Sequence, residues 1–284
     1  MRSLIVHFSQ GGTTRRVAEA IAAGLGGAGC TVDLCNLAQA VPPATTGYDL
    51  LGIGSPAYYF RPPFKVTDYL EGLPSLDGLP AFAFVLHGSY RGDTGTLIRR
   101  ALAVKGATEL GYFHCLGSDM FLGYLRRGFL FSPGHPTPDE LTAAREFGRA
   151  VAGRACSPPG QDPAPRFIYR LERFLSNRWL ARHLYSRLFR ADPALCDSCD
   201  ICAKLCPTGN VTVQDRRVSW GRDCLLCVTC EMKCPRDAIR SVLDWPAFQP
   251  FLAYNVRQAS RDPGLEHVRV IHRAGRTTQA KLVS

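Results

Sequence analysis

Residues 3–14 read SLIVHFSQGGTT, and this stretch decides the fold of the N-terminal half. Ser3–Phe8 is a short, nearly continuous apolar run, the pattern of a central parallel strand buried on both faces. Ser9-Gln10-Gly11-Gly12-Thr13-Thr14 follows, and beyond it Val17, Ile21 and Leu25 recur on one helical face. A strand, a loop rich in hydroxyls and glycine, and then a helix make a phosphate cradle. Backbone N–H groups and hydroxyls point at an anion there, and the helix dipole favours its charge. The same residues also suit an ordinary glycine turn before a helix, so the loop alone leaves both readings open.

Further along, the alternation of strand and helix repeats. Thr31–Leu37 alternates as a strand, and Gly24, Gly26, Gly27 and Gly29 before it read as helix-stop and turn residues. They fit G-x-G-x-x-G on paper, but that fingerprint has to follow a strand and open a helix, so no nicotinamide site is inferred. Tyr48–Gly54 and Ala81–Leu86 are the next strands, Thr94–Lys105 a helix, Glu109–Leu116 a fifth strand, and Asp139–Gly153 a closing amphipathic helix. Five strands alternating with helices predict a doubly wound parallel sheet. Ligand loops are expected after strands one, three and four.

At those three loops the chain resembles flavodoxins. Ser9, Gly12 and Thr14 match the family's S/T-x-T-G-x-T phosphate loop, while Gly11 replaces a threonine and removes one hydroxyl. The resemblance implies FMN, with its phosphate on Ser9, Gly11, Gly12, Thr13 and Thr14. It implies that Ser55, Pro56, Ala57, Tyr58 and Tyr59 line the ring, with His87, Gly88, Ser89, Tyr90 and Gly92 as the second ring-contacting loop. His87 also suits a structural histidine, and the two tyrosines also suit packing. Cys30, Cys35 and Cys115, in or beside strands, read as inert core thiols.

The second decisive stretch lies far along the chain. Cys196, Cys199, Cys202 and Cys206-Pro207 form C-x2-C-x2-C-x3-C-P, and Cys224, Cys227, Cys230 and Cys234-Pro235 repeat it. Eight of the twelve cysteines fall within these 39 residues. Three thiolates spaced by two residues can wrap one face of an iron–sulfur cube, and the fourth, before a proline, ligates the other cube. Cluster I is therefore expected on Cys196, Cys199, Cys202 and Cys234, and cluster II on Cys224, Cys227, Cys230 and Cys206. Structural zinc uses four ligands and has no need of a third closely spaced cysteine, and disulfides need an oxidising compartment. Residues 192–240 resemble a bacterial two-[4Fe-4S] ferredoxin, a small α+β module.

The expected organisation is an α/β flavodoxin-like FMN domain (1–155), a linker with a basic amphipathic segment (156–191), the ferredoxin module (192–240) and an extension (241–284). Proline and glycine after Cys156 mark the linker. Residues 166–190 carry seven arginines and one glutamate. Phe167, Leu171, Phe174, Leu175, Leu180, Leu184 and Leu188 fall at helical spacing there, as for a helix or helical hairpin packed by its apolar face with its basic face in solvent. The segment also suits docking to an acidic redox partner or an anionic membrane. Trp245, Phe248, Phe251 and Tyr254 are expected to pack back on a domain, and the final stretch with Arg269, Arg273 and Arg276 to fray.

The net charge of +10 comes mostly from arginine and is accompanied by no nucleic-acid-binding motif. No apolar run approaches a membrane span, and no leader pattern follows the first methionine, so a cytoplasmic protein is expected. From residue 1 to about 240 the chain resembles a flavodoxin–ferredoxin fusion family, which implies electron transfer in anaerobic or facultative metabolism. Three functions stay open on sequence alone: an electron carrier between redox proteins, a flavin-dependent reductase of an organic substrate fed by the clusters, and a ferredoxin with a flavin-free docking scaffold. Oligomeric state is not legible.

Overall fold

The computed structural model describes residues 1–155, 160–164 and 166–280. Cys156 and part of the expected linker lie outside the described residues. Two compact units divide the chain. The first is Met1–Ser118 with Gly134–Arg170, and the second is Asp119–Pro133 with the chain from Leu171 onward.

In the first unit, β1 (Arg2–His7), α1 (Thr13–Gly27), β2 (Thr31–Asn36), β3 (Leu50–Pro56), α2 (Phe64–Gly72), β4 (Pro80–His87), α3 (Thr94–Val104) and β5 (Thr108–Leu116) alternate in order. The sheet has five strands in the order β2-β1-β3-β4-β5, all parallel. The chain then passes through α4 (Leu122–Leu125) and β6 (Phe129–Phe131) in the second unit before α5 (Pro138–Ala152) returns. Ile5, Val17, Ile21, Leu25, Phe82, Phe84 and Val151 form a core between the sheet and the α1–α5 layer.

Gly24, expected to stop the helix, sits inside α1. A Cβ there would lie 1.9 Å from the Arg145 carbonyl oxygen, and one on Gly148 would lie 2.2 Å from that of Ile21. The two glycines let α1 and α5 touch backbone to backbone, a packing reason for glycine that local spacing does not reveal. A capping box between Thr137 and Glu140 opens α5.

In the second unit, α6 (Phe167–Leu175) crosses from the first and α7 (Arg178–His183) follows. Asn177 caps α7 by accepting from Leu180 N at 2.9 Å, so the segment forms two short helices. The apolar stripe packs inward only in part. Leu171, Leu175, Leu180 and Leu188 are half-buried, but Phe167, Phe174 and Leu184 are exposed, whereas Tyr169, Glu172, Ser176, Ala181 and Tyr185 are buried. Glu172 turns inward because Asn255 Nδ2 donates to it at 2.8 Å, and burial pushes its carboxyl up to about 7.

Farther on come β7 (Arg190–Ala191), α8 (Ile201–Lys204), β8 (Val211–Gln214), β9 (Arg217–Trp220), α9 (Thr229–Met232) and β10 (Ile239–Arg240). β7 pairs with β10, and β8 forms a hairpin with β9. After α10 (Gln249–Ala259), the expected frayed end is instead a hairpin of β11 (His267–Arg273) and β12 (Arg276–Gln279). β11 also pairs with β6, from within the N-terminal half of the sequence. Hydrogen bonding to a strand 136 or more positions earlier orders this end, and no local pattern announces it.

Candidate functional sites

The loops after β1, β3 and β4 leave the carboxyl end of the sheet beside the strand-order switch, where open α/β sheets bind ligands. In the first loop the Ser9 Oγ accepts from Gly12 N and Arg15 N, each at 3.2 Å. Asn36 at the end of β2 holds Ser9 through both backbone groups, at 3.0 and 2.9 Å. Gly12 has φ 90°, and a Cβ on Gly11 or Gly12 would meet nothing within 4 Å. Gly12 at the N-cap offers no side chain and the Ser9 hydroxyl takes the Arg15 N–H, so the first turn of α1 at Thr13 and Thr14 borders the open cradle.

His7, immediately before this loop, is buried with neither ring nitrogen hydrogen-bonded. Burial, with a smaller contribution from the Arg15 charge, lowers it to about 4, so it is neutral at physiological pH.

In the second loop, Tyr58 and Arg61 exchange backbone hydrogen bonds at 2.8 and 3.1 Å around Tyr59 and Phe60. Those two residues have φ 50° and 60°, a left-handed pair that costs bulky side chains about 1–2 kcal/mol each. Tyr58 Oη donates to Gln10 Oε1 at 3.0 Å, tying this loop to the phosphate loop. Ser55 is buried and spends its hydroxyl on the Pro56 carbonyl at 2.9 Å.

In the third loop, His87 Nδ1 lies 3.1 Å from the Ser89 carbonyl, and burial lowers the ring to about 4. Gly92 has φ 58°, and a Cβ there would lie 2.6 Å from the Phe60 carbonyl oxygen, so the second and third loops touch. Residues that sequence reasoning missed also meet here. Phe60 stacks on Tyr169 of α6, with centroids 3.9 Å apart and planes at 18°. Asp162 accepts from Arg91 at 2.7 Å and from Tyr112 at 2.8 Å. Nothing in the local pattern around Asp162 or Tyr169 marks either as a neighbour of these loops.

In the second unit, Cys196, Cys199, Cys202 and Cys234 line one cavity, with Ile201, Val213, Val218 and Ile239 as its apolar wall. About 330 Å³ of space there is free of protein atoms, part of it open to solvent. The same grouping shows in the near sulfur neighbours: Cys199 and Cys234 lie close to Cys202, and Cys227 and Cys206 close to Cys224. Among the described residues no three donors converge as a single metal ion would require. A cube of iron and sulfide holds its thiolates at separate corners, wider apart than the ligands of one ion.

The backbone repeats with the cysteines. Ser198 and Asp200 have φ 57° and 59°, and Leu226 and Val228, 28 positions on, have φ 56° and 49°. Non-glycine residues persist in this region where their surroundings over-determine it. Gly209 and Asp237 match in the same way, at φ 62° and 51°. Behind them Asn210 N donates to Cys206 Sγ and Ala238 N to Cys234 Sγ, both at 3.3 Å. Burial pushes the Cys202 thiol up to about 11 and Cys224 up to about 12. Binding metal at these thiols would therefore release protons.

Arg126, at the end of α4, is an anchor in the second unit. Its guanidinium lies 2.7 Å from Glu231, whose side chain is fully buried beside Cys230, and 2.7 and 2.8 Å from the Asp244 oxygens.

A family model described as a flavodoxin domain matches residues 4–122. The N-terminal half is a flavodoxin-like domain. An uncharacterized protein of Methanocaldococcus jannaschii is 27% identical over 154 residues, which cover 53% of this chain and 98% of that protein. Among solved structures, an archaeal flavodoxin is similar at 18% identity and TM-score 0.44, over 55% of this chain and 99% of its own. A Megasphaera elsdenii flavodoxin is similar at 21% identity and TM-score 0.42, over 53% and 98%. No described helix is long and apolar enough to cross a membrane.

Proposed function

We propose that the protein relays single electrons between an FMN on the flavodoxin-like domain and two [4Fe-4S] clusters on the second unit, and onward to a redox partner. The observation that carries this reading is the meeting of Cys196, Cys199 and Cys202 with Cys234 around one cavity. That is the crossed set which two cubes in a duplicated four-cysteine motif require. When bound, FMN supplies two-electron chemistry that can be passed singly, and each cluster carries one electron.

The chain's own part is binding and tuning. The open cradle at Gly11 and Gly12 and the first turn of α1 would take the phosphate, which favours FMN over FAD and over a flavin-free scaffold. Amide donors to Cys206 and Cys234 would lower the charge on the sulfurs and raise the cluster potentials. The test is anaerobic purification with flavin and iron analysis, expected to find FMN and about eight irons per chain. Reducing the clusters should then reduce the flavin at a rate independent of protein concentration, since both sites share one chain. A rate rising linearly with concentration would mean two separate carriers and would overturn the relay.

The partner we propose is an acidic redox protein docking on the segment 166–190, where exposed Phe174 and Trp179 stand among arginines. Arg170→Gln with Arg187→Gln should slow association, and added salt should slow the native protein in the same way. Association rates flat in salt would assign the segment to packing alone.

A further inference from the structure

We infer that Tyr169, which lies beyond the flavodoxin-like fold in sequence, is a positioning residue for the flavin ring; the inference rests on the FMN reading above. Tyr169 is buried between the two ring-flanking loops. It stacks on Phe60 of the loop after β3, and its centroid lies 5.9 Å from that of Tyr90 in the loop after β4. Phe60 is held in the left-handed region, and Gly92 comes so close to its backbone that a Cβ there would lie 2.6 Å from the Phe60 carbonyl oxygen. The two loops are thus joined directly at Gly92–Phe60 and bridged by one aromatic ring from α6.

The segment that delivers this ring is tied down before it arrives. Asp162 has a fully buried side chain, which Arg91, Tyr112 and the Thr96 N–H all hold at 2.7–2.8 Å. A plain tether between two modules has no use for a buried carboxylate with three donors. A strap that must bring Tyr169 to one place does, and Arg91 itself belongs to the loop after β4. The strap therefore sets the spacing between the loops and makes the ring site before the ring binds, which raises affinity by reducing what binding must order. The phosphate cradle at 9–14 is built from β1, Asn36 and the start of α1, and meets the loop after β3 at Tyr58–Gln10 rather than at Phe60.

The test compares FMN with riboflavin, which lacks the phosphate, on the full-length chain. Tyr169→Leu should weaken both by the same factor, between about two- and tenfold for loss of the aromatic pair. The FMN-to-riboflavin ratio should stay at the native value, and the reduction potential of bound flavin should shift. Tyr169→Phe, which keeps the stack, should restore affinity and potential. Asp162→Asn, which loosens the strap without touching the rings, should move both flavins in the same direction by less. Native affinity and potential in Tyr169→Leu would overturn the positioning role, as would loss of FMN binding with riboflavin binding intact. If Tyr169→Leu does not fold, native flavin affinity in Asp162→Asn overturns it. A native chain that binds neither flavin sinks the FMN reading itself, and the positioning role with it.

Discussion

Cys206→Ala should cost the protein the cluster held by Cys224, Cys227 and Cys230, although Cys206 belongs to the first motif. About four irons should be lost and about four kept. The geometry sets this expectation: the Cys206 sulfur is a near neighbour of Cys224, while Cys234 closes the cavity of Cys196, Cys199 and Cys202. Double variants read the grouping directly. Cys206→Ala with Cys227→Ala should lose no more iron than either alone, because both strike one cluster. Cys206→Ala with Cys199→Ala should lose nearly all of it. The opposite pattern would show that each motif fills its own cluster and that the crossing is wrong.

Arg126→Met should destabilise the second unit, although residue 126 lies just past the stretch that matches the flavodoxin model. Removing the guanidinium leaves Glu231 buried without its charge partner and frees Asp244. Breaking a buried pair from one side costs about 3–5 kcal/mol. Burial already holds the Glu231 carboxyl up at about 7, so it can take a proton, and Arg126 is 22% exposed; together these argue for at most the lower end, about 3 kcal/mol. Iron should be lost at lower temperature or denaturant than in the native protein, while flavin affinity holds. Adding Glu231→Leu should return much of the loss, because an apolar pair leaves no charge stranded. If the double variant is no more stable than Arg126→Met, the ion pair is not the cause.

Tertiary structure decided what the short-range patterns could not reach. The apolar faces at 167–188 read as a packed stripe, yet the buried side of α6 carries Tyr169 and Glu172, because Asn255, 83 positions away, supplies a partner for the carboxylate. The final arginine-bearing stretch read as loose, yet β11 is a strand because β6 offers it a hydrogen-bonding edge. Nothing local marks Arg126, and only the passage of 119–133 into the second unit gives it acidic partners. Asp162 and Tyr169 carried no signal, since their meaning lies in Arg91, Tyr112 and Phe60, none of them a sequence neighbour. By itself the sequence determined what period and spacing encode. Burial on both faces makes SLIVHF a central strand, and glycine before a helix shapes the loop at Gly12. Each three-cysteine run carries left-handed residues at matching steps. Those are local properties of backbone and side chain, so they are written locally. Which distant segment satisfies a buried charge, an open strand edge or one face of an aromatic ring is settled only when the whole chain packs.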